Sequence, residues 1–349
     1  MSLLSNLQPQ TRRKRRRTMK GPDSGAEMFS DAGVKRMMLL AVFPEVDETF
    51  ESIQSLVSNL KLRVGSGRML CADLKVINLS LGLQSHQCRH PCPFCEWKKG
   101  EDKHDHPDRT FEKIRRDFER FQQQASGKKE KVKHFFNCLR PASSLFPENG
   151  RVIDFVLLPE LHLFLGVVNK LFMELKGIDA RVAKEWSRDE LHLRAALWSG
   201  QFVGNDCQTL LKNTDRLRDI ANRLPARQRT KRAKINCVAD AFLSFQKLVH
   251  SCFGNTLYDS WEKDLINFRE SYRATRASIS PKIHIIIAHL NYFVGKFGAL
   301  GIYSEHAGEA IHHDFKREFQ KYNIKDIDNP KYAENLLKAV SSYNGNNMN

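Results

Sequence analysis

Two cysteines separated by two residues, Cys92-Pro-Phe-Cys95, sit in a polar stretch that also carries His86, Cys88 and His90. This spacing lets one turn present two thiolates to a tetrahedral Zn²⁺. The other ligands are to be sought among Cys88, His86, His90, His104, His106 and the distant His162. Two reduced cysteines packed in a loop are the plain alternative. A thioredoxin-like redox pair fits less well, because the order of elements around that fold's motif is missing here.

Carboxylates offer a second chemistry. Asp73 closes the apolar run "RMLCA", Glu309 stands near the start of a late helix beside His306 and His313, and Asp154 lies in "RVIDFV". Acidic residues gathered at strand ends bridge two Mg²⁺ or Mn²⁺ ions in phosphoryl transfer, one ion activating the nucleophile and the other the leaving oxygen. A lone Asp or Glu is otherwise a helix cap or a surface residue. Glu309 and His312 also form an E-x-x-H pair, but a di-iron bundle needs two such helices. Its second match, Glu101 with His104, falls in a loop, which rules that site out.

Charge points to phosphate. The formal net charge is +16 over 349 residues, a balance that suits a nucleic-acid partner. Arg12, Arg13, Lys14, Arg15, Arg16 and Arg17 form an uninterrupted run that reads as a nuclear-import or phosphate-binding arm, with a solvated tail as its rival. Arg227, Arg229, Lys231 and Arg232, in "PARQRTKRAK", make a second candidate clamp on a nucleic-acid backbone. Trp198 and Phe202 could stack on bases, although aromatics at that spacing also pack helical cores. Eight cysteines are too few for a disulfide scaffold. No secretory leader is visible, and the apolar runs "MMLLAVF" and "IHIIIAHL" are too short to span a membrane. These features predict an intracellular, nuclear protein with reduced or metal-bound thiols and no membrane contact.

The elements that must position these groups are set by hydrophobic periodicity. Residues 1–32 are polar and basic, and disorder is expected there. "KRMMLLAVF" and "RMLCA" read as buried strands flanking a helix in "VDETFESIQSLVSNL", with Asp47 as its cap. That order suggests a parallel strand–helix–strand unit. Helices are then expected in "TFEKIRRDFERFQQQ", "LPELHLFLGVVNKLFMEL", "DCQTLLKNTDRLRDIANRL", "NCVADAFLSFQKLVHSCF" and "SWEKDLINFRESYRA". The predicted fold class is α/β with a large helical insertion. The expected division is a basic arm (1–32), a first core segment with the cysteines (33–109), an all-α insertion (110–280) and a last core segment (281–349).

"ADLKVINLSLGLQSHQCRHPCPFCEW", "LPELHLFLGVVNKL" and "YSEHAGEAIHHDFK" together resemble transposon-encoded proteins with an RNase H-like, DDE-type transposase core. The resemblance implies that Asp73 and Glu309 are the second and third acids of a metal-binding triad, and that His162 belongs to the family's zinc-binding C/D-x-x-H element. Pro159 occupies the position where that element has its acidic or thiol partner. The strand that would carry the first aspartate has no counterpart, since Asp23 and Asp31 lie among glycines and serines, so the RNase H-like core is expected to be incomplete. The expectation is a transposase-derived nuclear protein that binds duplex DNA such as transposon ends, contains zinc and lacks a full catalytic set. An active Mg²⁺-dependent transposase or nuclease and a non-catalytic protein-interaction module are the alternatives, and a homo-oligomer is left open.

Overall fold

A computed structural model describes residues 2–4, 19–20, 27–28, 47–65, 67–84, 87–125, 128–193, 201–304, 315–322 and 329–348. The Arg12–Arg17 run, the expected strand in "KRMMLLAVF", His86, Trp198 and the Glu309 helix lie outside these residues.

The α/β expectation is overturned. Helix accounts for 64% of the structure, and among the described residues no strand pairing joins more than two strands. "RMLCA" supplies only the three-residue strand Met69–Cys71. The chain then turns directly into helix, because Asp73 takes extended dihedrals and its carboxylate accepts from the Val76 amide at 2.8 Å. The expected strand is therefore present but short, and the cap at Asp73 starts a helix directly after it.

Two compact units divide the chain. One comprises residues 1–96, 107–159 and 302–349. Its first helix, α1 (Phe50–Asn59), starts at Thr49 rather than Asp47: the Thr49 hydroxyl accepts from the Ser52 amide at 3.1 Å. The α1 residues Ile53 and Val57 are buried, as the periodicity predicts. The next helix, α2 (Leu74–Ser80), stops at Gly82. Gly82 has φ +70, and a Cβ there would fall 2.3 Å from the Arg140 carbonyl oxygen, so only glycine fits. The unit's third helix, α3 (Phe111–Ala125), buries Phe111, Ile114 and Phe121. Phe121 and Ala125 continue into a cluster with Val132 and Phe135, against which Phe118 packs. A further helix spans Lys331–Met348.

The other unit, residues 97–106 and 160–301, is a helical array. At its centre α4 (Glu160–Ile178) comes straight after Pro159 and buries Leu163, Phe164, Val167, Val168, Leu171, Phe172 and Leu175. Asp179 caps α5 (Ala180–Lys184), which runs on as a π-helical turn to Glu190. Then come α6 (Gly204–Lys212), α7 (Thr214–Asn222), α8 (Arg229–Leu248), α9 (Trp261–Ala274) and α10 (Pro281–Phe297). Trp186 meets Phe242 edge-on at 5.4 Å, and Phe245 packs on Phe268 at 5.0 Å. Phe202 is 3% exposed and lies edge-on to Phe172 at 4.8 Å, so it packs the helical core and is not free to stack on a base. Pro281 at the first helical position and the Ser280 hydroxyl bonded to the Ile283 amide start α10, the apolar stretch "IHIIIAHL".

Candidate metal centre

The Cys92–Cys95 turn is built by its backbone. Residues 94–96 run antiparallel to 107–109: Arg109 N–H donates to the Phe94 carbonyl at 2.8 Å, and Glu96 N–H to the Pro107 carbonyl at 3.2 Å. Arg109 then folds its own side chain over the turn. Its Nε donates to the carbonyls of Cys92 (2.9 Å) and Cys95 (3.1 Å), and its Nη2 to that of His90 (3.1 Å). Arg109 is 2% exposed, and no carboxylate ion pair engages it among the described residues. A buried cation without an acid is costly unless negative charge lies close by. Two thiolates would supply it.

Four of the cysteines separate into two chemical classes. Burial drives the thiols of Cys138, Cys207 and Cys252 up to about 12, so they remain neutral packing groups. Burial also acts on Cys92, but it is outweighed by hydrogen bonds from Cys95 and the Phe94 and Cys95 amides, aided by Arg109, and the thiol falls below its ordinary value. Amides aimed at a sulfur from within its own turn stabilise the thiolate, the form that binds metal. All eight cysteines are free of disulfides.

Two histidines on α10 complete a set. His284 and His289 are buried at 0% and 6% exposure among isoleucines and leucines. Five residues advance an α-helix by about 140° beyond one full turn, and their rings still approach to 5.4 Å. Ligand atoms from Cys92, Cys95, His284 and His289 all lie within 4.8 Å of one another. Two thiols and two imidazoles, buried and convergent, fit the four-coordinate tetrahedral preference of Zn²⁺. Four protein ligands would fill the coordination of such an ion, as in structural rather than catalytic zinc sites.

His284 is held on its far side. Trp97 stacks on it at 4.3 Å with an interplanar angle of 8°, and Trp97 Nε1 donates to the Glu101 carbonyl at 3.0 Å. His104 Nδ1 lies 3.0 Å from His284 Nδ1. Burial first, then the nearby His284, Arg269 and Arg273, pull His104 down to about 4, so it is neutral at neutral pH. With Nδ1 engaged by His104, a metal at this site would be bound through Nε2 of His284. A ring nitrogen fixed by an outer partner is a recurring feature of metal-binding histidines.

The other candidates from sequence stand apart from this cluster. His162 lies half-buried on the first turn of α4. Cys88 Sγ reaches the Gln84 carbonyl at 3.9 Å. His106 bonds the Lys103 carbonyl at 3.0 Å and lies 3.6 Å from Glu101, and His90 bonds the Glu96 carbonyl at 3.0 Å. Of the acids, Asp73 caps α2, and Asp154 accepts from Arg151 at 3.0 Å. Of the basic set in "PARQRTKRAK", Arg227, Arg229, Lys231 and Arg232 lie at and just before the start of α8. His284 and His289 are hidden in the sequence because "IHIIIAHL" reads as pure core; two imidazoles in an apolar helix are the one signal of them.

Fold and site together define a mostly helical protein with a closed, buried Cys₂His₂ cluster. Residues 30–131 match the model of a domain of unknown function, DUF8703. That span takes in the Cys92–Cys95 turn and Arg109 and leaves out His284 and His289. No curated protein matches the chain. Among the described residues, no helix is long and apolar enough to cross a membrane.

Proposed function

We propose that this is a zinc-ordered nucleic-acid-binding protein without a catalytic step of its own. The convergence of Cys92, Cys95, His284 and His289 carries the reading. A closed set of four protein ligands leaves no place for substrate or an activated water, so the ion's work is to hold backbone in place. Zn²⁺ bound there would neutralise two thiolates. The net charge of +16 supports a phosphate-rich partner. Asp73 has a local task as a helix cap and Asp154 as the partner of Arg151, so the reading requires no metal-ion nuclease chemistry from either.

Metal analysis of purified protein tests the zinc claim. One zinc per chain is expected, with Cys92→Ser and His289→Ala each losing it and each lowering the unfolding temperature. Metal-free protein that melts at the same temperature with and without added zinc would refute the reading.

A further inference from the structure

In the helical unit, α5 with its π-helical extension carries Arg181, Lys184 and Arg188, spaced by three and four residues and all exposed. That spacing places them along one face. The start of α8 carries Arg227, Arg229 and Arg232. The two sets are tied together by Lys231, whose ammonium lies 2.9 Å from the carboxylate of Asp179, the cap of α5. Of the acids nearby, Asp179 is held by Lys231 and Glu185 and Glu190 by Arg223, while Asp189 lies exposed beside Arg188 and offsets part of the positive charge. None of the six named cations has a carboxylate partner among the described residues.

The arrangement runs against helix stability. Helix N-termini favour acids, because unsatisfied amides and the macrodipole make them positive. α8 has no acid in its first turn and no side-chain cap, and cations surround its start instead. Such a cluster is strained by its own repulsion and relieved by a polyanion. Between the α5 extension and the residues after it lies an open polar cleft of about 360 Å³, lined by Lys184, Arg188, Asp189, His192 and Leu193. A second cleft, at α8 and α9, sets Asp240 and Glu270 against Arg218 and Lys247 and carries no such excess. Neither α5 nor the start of α8 bears an exposed large apolar side chain, so the surface lacks what a lipid bilayer would take up.

We infer that the face formed by Arg181, Lys184 and Arg188 of α5 and its extension and by Arg227, Arg229 and Arg232 at and just before the start of α8 binds the phosphodiester backbone of nucleic acid. This rests on the nucleic-acid half of the function proposed above and assigns it a surface. Recognition is through phosphate, because the six cations carry the contact and phosphate contacts position a duplex without reading its bases.

The full chain is titrated with short duplex DNA and duplex RNA by fluorescence anisotropy over a salt series. Each phosphate contact contributes about −0.9 to the slope of log K against log salt for duplex DNA. Substituting Arg227, Arg229 and Arg232 together by Gln is expected to flatten the slope by about 2–3 and to weaken low-salt binding about tenfold or more. The basic run at Arg12–Arg17 is common to both proteins and cancels in the comparison. Arg218→Gln with Lys247→Gln, in the mixed-charge cleft, should leave slope and affinity unchanged. Circular dichroism and zinc content confirm folding of each variant. Wild-type protein that binds neither duplex at low salt overturns the nucleic-acid reading itself. Wild-type binding with an unaltered slope in the triple variant overturns only this surface. Equal affinity for phosphatidylserine vesicles, lost in the same variant, would replace nucleic acid with a membrane as the partner.

Discussion

Arg109 donates from its Nε to the carbonyl of Cys92 at 2.9 Å and, from the same nitrogen, to that of Cys95 at 3.1 Å. One buried guanidinium thus clamps both ends of the Cys-Pro-Phe-Cys turn and sets its positive charge beside the sulfurs. Arg109→Lys keeps the charge but loses the planar fork. The expected outcome is a loss of about 10–100-fold in zinc affinity and of about 2–4 kcal/mol in stability, as buried carbonyls are left without donors. Chelator competition and thermal unfolding measure the two. Unchanged zinc retention would show that the clamp is dispensable.

His104 and His284 make a second outer contact of the centre, nitrogen to nitrogen at 3.0 Å. For His284 to offer Nε2 to a metal, its Nδ1 must carry the proton and His104 must accept it. His104→Ala should weaken Co²⁺ or Zn²⁺ binding by about tenfold or more and shift the visible d–d bands of the Co²⁺ form. His104→Gln, which retains an acceptor oxygen, should recover part of both. Spectra identical to wild type in the alanine variant would remove His104 from the site.

Asp73 separates a cap from an acid catalyst. Its carboxylate accepts from Val76 N–H at the start of α2. Asp73→Ala is expected to cost about 1 kcal/mol, and Asp73→Asn only a small part of that, because asparagine caps nearly as well. If Mg²⁺-dependent cleavage of duplex DNA were present in the wild type and abolished by Asp73→Asn, the capping role alone would be insufficient.

Asp179 gives a pH dependence. Burial opposes its charge, but the Lys231 ammonium and the amides of Val182 and Arg181 outweigh that and hold the carboxyl below its ordinary 3.8. A depressed folded value means that the unfolded chain takes up the proton first. The contribution is therefore complete above about pH 4 and is lost as pH falls through the folded value. Asp179→Asn should keep the cap, forfeit the Lys231 pairing, and cost about 1–2 kcal/mol at neutral pH. In denaturant titrations the gap between the two proteins should narrow below pH 4. A constant gap would mean that the charge contributes nothing.

Local rules carried the helices a long way. The stripes in α1 and α3, the start of α4 after Pro159 and the helical stretches of α6 to α9 all reflect apolar spacing, because a helix period repeats within a dozen residues of contiguous chain. Cys92 and Cys95 were legible for the same reason: two thiols on one turn need only each other's sequence position. The α/β reading failed at the sheet and not at the strand: "RMLCA" does form the strand Met69–Cys71, but among the described residues it joins no sheet of more than two strands, and partner strands are not set by local sequence. The two histidines of the candidate metal cluster were decided by tertiary structure. His284 and His289 lie nearly two hundred residues from the cysteine turn, within a run whose hydropathy conceals them. No spacing rule couples groups so distant; only packing brings two thiols and two imidazoles within one ion's reach.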